Sequence, residues 1–166
     1  MSKIREKQIA QLKSTIFFPL VLLVVAWVVF FVIITFNATK EGLSIPEALA
    51  IEIPIVMAIS LLIICFYIPL FKIYFALKSI PEDTVRREKT IRCVKVKFKH
   101  TGGHKLNYRR FCAVVLMDEN GQNYTYVLEE VQFKDKENCA PFRAYQGTNV
   151  TLVCYGDTPY VEEIKD

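Results

Sequence analysis

The sequence has no Cys-x-x-Cys, no Gly-x-Ser-x-Gly, no Gly-x-Gly-x-x-Gly, no P-loop and no Gly-x-x-x-Gly. The first absence removes the usual signature of redox catalysis and of a zinc ribbon. The second, with neither histidine beside an orienting acid, removes that of nucleophilic hydrolysis. The third and fourth remove the glycine-rich cradles that hold phosphate. The last removes the tightest of the helix-packing motifs known from membranes. Charge is missing too, from two long stretches: Thr15 to Phe36 and Ile53 to Phe71 contain no Asp, Glu, Lys or Arg.

What is present is apolar and unevenly spread. The 166 residues are 52% hydrophobic and 23% charged. The mean hydropathy of +0.27 comes almost wholly from the residues before 78. This pattern argues against an ordinary soluble enzyme and against a disordered chain. Roughly 75 residues remain for a folded domain, near the low end of what sustains a core.

The run at 15–36 would make a helix about 33 Å long, enough to cross a hydrocarbon core. It is apolar all round, so lipid is its expected neighbour. A signal peptide is the rival reading, with Lys3, Arg5, Lys7 and Lys13 as its basic start. The run is too long for that, and no small-x-small cleavage site follows. The run at 53–71 also reaches spanning length and carries Pro69, which removes one helical hydrogen bond. Lys72 and Lys78 flank Tyr74 and Phe75, as where a helix leaves a bilayer. Ser44-Ile45-Pro46-Glu47 reads as a capped helix start, and the same letters recur at Ser79-Ile80-Pro81-Glu82 as a short helix or turn. Trp27 lies mid-span and fits either a helix–helix contact or a lipid-facing position, and Ala58 and Ser60 permit close packing.

Basic residues flank both runs. Four precede the first, the loop holds Lys40 against Glu41, Glu47 and Glu52, and Lys72, Lys78, Arg86, Arg87 and Lys89 follow the second. The positive-inside rule then places both termini in the cytoplasm of a multi-pass cell-membrane protein. The expected organisation is a basic N-terminus at 1–14, a two-helix transmembrane hairpin at 15–78, a linker at 79–89 and a β domain at 90–166.

In that domain Val94, Val96 and Phe98 alternate with Lys95, Lys97 and Lys99, the pattern of a strand with one wet face. Thr101-Gly102-Gly103 breaks it. Arg110 to Met117 predicts a second strand, buried on both faces through FCAVVL. Asn120-Gly121 marks a hairpin, and Asn123 to Leu128 the returning strand. Glu130 to Phe142 fits a helical turn or a loop. Asn149 to Tyr155 and Tyr160 to Ile164 complete five short strands. The expected fold is a small all-β domain, an OB-like or SH3-like barrel or sandwich.

The closing segment GTNVTLVCYGDTPYVEEI resembles that of DUF3592-type bacterial membrane proteins, with Gly147, Val150, Val153, Tyr155, Asp157 and Pro159 on the shared pattern. MDENGQNYTY is similar to the hairpin of the same family. The likeness covers about half the domain. It departs from the family in order, since many members place the β domain between two spans. The family has no established activity, so the resemblance implies a fold and a membrane setting.

The net charge of +4 hides an asymmetry. Residues 86–110 hold ten Lys or Arg and one acid, whereas residues 111–166 hold four basic and ten acidic residues. Anionic headgroups are one partner for such a patch, at about 1 kcal/mol per residue. A solvated strand face is the plain alternative. Tyr108, Arg109, Arg110 and Phe111 interleave rings and charge as a single-strand platform does, but the acidic second half disfavours nucleic acid. The expected contact residues are Arg86, Arg87, Lys95, Lys97, Lys99, Arg109 and Arg110.

Cys65 lies in the second run and reads as packing. Cys93, Cys112, Cys139 and Cys154 behave as small apolar residues in a reducing compartment, or allow two disulfides in three pairings outside one. His100 and His104, with Cys93 and Cys112, suggest a zinc site without fixed geometry, and loop histidines are more often plain surface groups. Glu129-Glu130 and Glu162-Glu163 read as solvated acids, since neighbours on a strand face opposite ways. Sequons at Asn37, Asn123 and Asn149 matter only in a secretory lumen. No cofactor is expected. The leading expectation is a non-enzymatic, membrane-anchored β module that binds a partner protein or the membrane surface, as an accessory subunit. The alternatives are an oligomeric pore or transporter subunit with the β domains as a collar, and a small metal protein or enzyme.

Overall fold

The computed structural model describes residues 3–41, 44–101, 110–133 and 136–165. Two helices come first, α1 (Lys3–Glu41) and α2 (Ile45–Ser79). Five strands follow: β1 (Arg86–Thr101), β2 (Arg110–Asp118), β3 (Asn123–Phe133), β4 (Asn149–Tyr155) and β5 (Tyr160–Lys165), with α3 (Lys136–Ala144) between β3 and β4. The chain divides into two compact units, Ser14–Phe71 and the remainder, which joins Met1–Lys13 to Lys72–Asp166.

In the helical unit, α1 holds the one described helix that is long and apolar enough by itself to cross a membrane, at Lys3–Ala38. Only 6% of its most apolar window is buried. α2 passes the same test only as a bent pair, Val56–Cys65 with Tyr67–Ser79. Pro69 lacks the N–H that would bond the Cys65 carbonyl, so the chemistry of the break lies at this point of the helix. α2 begins one residue after Ser44, as the cap pattern predicts. Trp27 Nε1 donates to Ser60 Oγ at 2.8 Å, and Ser60 Oγ donates to the Val56 carbonyl. Phe17 and Phe71 meet edge to face at 6.4 Å. Early residues of α1 thus meet late residues of α2, the register of an antiparallel helical hairpin. Cys65, expected as packing, is exposed.

In the second unit the strands close a barrel in the order β1-β2-β3-β5-β4. All pairings are antiparallel except β3 with β5. The hairpin at Asn120-Gly121 forms as predicted. Gly121 takes φ of 77°, and Asp118 Oδ1 accepts from the amides of Asn120 and Gln122. β2 is buried on both faces: Phe111, Val114 and Leu116 join the core cluster, while Cys112, Ala113 and Val115 lie outside that cluster and are buried too. Phe98, Phe111 and Phe142 of α3 form a three-ring contact, with centroids 5.0, 6.3 and 6.4 Å apart. Phe111, fully buried, contributes about 1.5–3 kcal/mol by burial, and the two half-buried rings less.

Four expectations change. β3 continues past Leu128 to Phe133, and α3 is a nine-residue helix where a loop or single turn was the expectation. The linker is shorter, because β1 starts at Arg86 and pairs at once with Tyr155. Alternation along β1 slips: a bulge between Cys93 and Lys95 keeps Cys93 and Val96 with the core and leaves Val94 46% exposed.

The N-terminal residues are structural. The β3–β5 ladder has two register pairs and stops after Tyr126 and Val161, although both strands continue. Gln8, fully buried, serves the groups left there. Its Nε2 donates to the carbonyls of Val127 at 2.8 Å and Val161 at 3.4 Å, and its Oε1 accepts from the Tyr155 hydroxyl at 2.9 Å. Arg5, 4% exposed, donates to the carbonyls of Leu77, Ile80 and Pro81. Those acceptors are the orphan carbonyls at the end of α2 and in the turn beyond it, where a cation is favoured.

Candidate functional site

Seven of the ten basic residues expected as one patch lie on β1, where they fall into two groups. The first half of the strand is spoken for within the chain. Arg86 Nε lies 2.8 Å from Glu162 Oε2, and Arg87 Nη1 lies 2.6 Å from Asp157 Oδ1. Lys89 hydrogen-bonds the Tyr124 hydroxyl, which pushes the lysine pKa up. Arg92 faces Glu119 at 3.5 Å. Arg86 and Arg87 therefore hold β1 to the β4–β5 end of the barrel as well as facing solvent.

The second half differs. Lys95, Lys97 and Lys99 are exposed, and among the described residues none of them forms an ion pair. They alternate beyond the bulge, so all three project from one face, about 7 Å apart. Their register partners on β2 are Met117, Val115 and Ala113. Each ammonium thus stands over an apolar stripe that its own methylenes can cover. Arg110, exposed, opens β2 beside Thr101. The structure brings Lys95, Lys97, Lys99 and Arg110 onto the β1–β2 ribbon. Arg109 lies outside the described residues, as do Tyr108 and His104.

Phe111, expected as part of a stacking platform, is fully buried in the barrel core, so it offers no face to a base. His100 is exposed at the end of β1. No group of three His, Cys, Asp or Glu among the described residues could hold a metal ion. All five cysteines are free thiols. Burial pushes the Cys112 thiol up to about 12, and burial raises Cys93 and Cys154 as well, the last opposed by Lys89. Such thiols are poor nucleophiles at neutral pH.

Glu162 corrects the reading of solvated acids. It is 2% exposed, because β5 carries a bulge there: Val153 and Cys154 of β4 face Glu163 and Val161, and Glu162 is the extra residue. Period-two reasoning has no means of seeing a bulge. Gln8 carried no signal either, since a lone glutamine in a basic, polar N-terminus resembles any solvated residue. The chain matches no family model, no curated protein and no solved structure.

Proposed function

We propose that this protein is a non-enzymatic, membrane-anchored module whose OB-type barrel docks on an anionic bilayer surface through Lys95, Lys97, Lys99 and Arg110. The observation that carries this reading is the division of β1. Its first cations are neutralised inside the chain, and its last three are not. Lys95, Lys97 and Lys99, without an ion pair among the described residues, attract anionic headgroups at about 1 kcal/mol each.

The membrane setting draws on the uncharged run of α1 and on the second uncharged run at 53–71, which we read as a second span. The Trp27–Ser60 bond and the Phe17–Phe71 contact suit two spans in one hairpin. Basic flanks around an acidic loop favour cytoplasmic termini. Four buried free thiols suit the reducing compartment that this orientation implies. The strand order β1-β2-β3-β5-β4, with a helix between β3 and β4, supports an OB rather than an SH3 type of barrel. The likeness to DUF3592-type membrane proteins agrees with this setting.

The test uses the full chain in nanodiscs, neutral or enriched in anionic lipid. Acetylation of Lys95, Lys97 and Lys99 is followed by mass spectrometry. Protection confined to anionic discs, and relieved by salt, is the expected result. Replacing the four residues with Gln is expected to weaken surface docking by a hundredfold or more, on the order of 1 kcal/mol per charge. Equal labelling in both kinds of disc would remove the lipid role.

A further inference from the structure

The barrel wall loses its regularity between β3 and β5. Their parallel ladder ends at Tyr126 and Val161. Just past it β3 bulges: Val127 faces Ala113 and Gln132 faces Phe111, so residues 128–131 stand opposite Cys112 alone. β5 bulges as well, at Glu162. Bulges end strand pairing and re-aim side chains. Beside these two lies a cavity of about 380 Å³, lined from β3, from β5 and from α3 with the residue that follows it. That volume falls within the usual range for small-molecule sites.

Three aromatic rings line the cavity, those of Tyr126, Phe142 and Tyr145, with Leu128 and Ile164 beside them. The Tyr126 and Phe142 rings lie 6.5 Å apart, tilted by 42°. The polar lining is Gln132 and three carboxylates, Glu129, Glu130 and Glu163. Among the described residues no Lys, Arg or His lines it. Lys7 and Lys165 feel these acids from outside, and their ion pairs are with Glu129 and Glu88. Glu130 and Glu163 are exposed and form no ion pair among the described residues. Burial raises the Tyr126 pKa, and Glu129 and Glu163 raise it further, so carboxylates from two strands act on one ring.

We propose that this cavity binds a small organic cation whose charge sits on an alkylated ammonium, as in choline. Aromatic faces carry the negative pole of the ring quadrupole, and a cation against them is attracted. The carboxylates add a field of the same sign. A quaternary ammonium spreads its charge over methyl groups that can touch the rings, and it has no N–H in need of an acceptor. A compact ammonium gives up more hydration on entering a half-apolar site. The carboxylates also repel a phosphate, so the free cation is favoured over a zwitterionic headgroup. Lys95, Lys97, Lys99 and Arg110 do not line this cavity, so its occupancy and surface docking stand or fall separately.

The experiment uses the full chain in a neutral, choline-free detergent at constant ionic strength. Calorimetric titration compares choline with phosphocholine and with dimethylbutanol, the neutral isostere in which carbon replaces the quaternary nitrogen. Choline is expected to bind saturably, and each of the others at least about tenfold more weakly. The choline methyl proton signal is expected to move upfield on binding, as it does over aromatic faces. Tyr145→Leu keeps an apolar side chain without the ring, and is expected to weaken choline binding about fivefold and to reduce that shift. Glu130→Gln with Glu163→Gln changes two exposed side chains and is expected to weaken binding by a similar factor. Circular dichroism checks both folds, and the double Gln variant decides the matter should Tyr145→Leu not fold. Absence of saturable choline binding, equal binding of the neutral isostere or of phosphocholine, or unchanged affinity in a folded variant overturns the proposal.

Discussion

Valine has opposite fates in the two units. Val24, Val28 and Val32 of α1 are 60–62% exposed, while Val114, Val150 and Val161 of the barrel are at most 2% exposed. One side chain is therefore treated as surface in one unit and as core in the other. At about 25 cal/mol per Å² of apolar surface, water is a poor solvent for the first arrangement. The barrel removes its apolar groups from water by folding, whereas the helical unit needs an apolar solvent to do so. The polar groups tell the same story. In the barrel unit Gln8 and Arg5 together serve six carbonyls, those of Val127, Val161, Leu77, Lys78, Ile80 and Pro81. In the helical unit Trp27 donates to Ser60, and Ser60 donates in turn to the Val56 carbonyl of its own helix.

The largest expected effect breaks this contrast at its centre. Phe111→Ala opens a cavity between Phe98 and Phe142 and is expected to destabilise the barrel by about 3–5 kcal/mol. That is a large part of what a domain of this size has. Val28→Ala removes outward-facing atoms and is expected to leave barrel melting unchanged. Thermal denaturation of both variants in detergent, followed by circular dichroism of the strands, compares them directly. An equal loss in both would mean that the two units do not differ in the way their exposures indicate.

Gln8→Ala comes next. It removes the donor to the Val127 carbonyl and the acceptor of the Tyr155 hydroxyl in a buried place, which is expected to cost about 1–3 kcal/mol. Denaturant titration reads the loss. Amide exchange is expected to rise first in β3 and β5, where the parallel ladder is only two pairs long. Gln11→Ala, on the same helix and in no comparable role, is the control. A silent Gln8→Ala would return residues 3–13 to the status of a solvated tail.

How much of this was legible in the sequence depends on whether the signal was local. Asn120-Gly121, the apolar run in β2 and the strand at Asn149 to Tyr155 each declare themselves within a few residues, through turn chemistry and pattern. The uncharged run of α1 does so as well. What escaped needed a partner far along the chain. The burial of Gln8 depends on residues 119, 147 and 153 positions away. The bulge at Glu162 depends on the register of β4, and that at Cys93 on the register of β2. The division of the basic patch depends on where Asp157, Glu162 and Glu119 arrive after folding. Of the expected contact residues, Lys95, Lys97, Lys99 and Arg110 emerge exposed and share a ribbon. Arg86 and Arg87 have structural partners that only the closed barrel brings near them.

The smallest expected signal sharpens the comparison most. Cys65 is exposed, while Cys93, Cys112, Cys139 and Cys154 are buried. In water, exposure alone would make Cys65 the first thiol to react with a maleimide. A charged maleimide is excluded from hydrocarbon, which it would have to enter to meet a thiol inside a bilayer. In a bilayer a charged maleimide is therefore expected to label Cys65 scarcely faster than the four core cysteines at neutral pH. Unfolding in detergent and urea should release all five. A variant with Cys93, Cys112, Cys139 and Cys154 replaced by Ser or Ala isolates the readout, and mass spectrometry counts the label. Rapid labelling in the bilayer would place Cys65 in water and leave α1 as the sole span. Slow labelling in the bilayer with rapid labelling after unfolding requires hydrocarbon around α2, because Cys65 is exposed among the described residues of the helical unit.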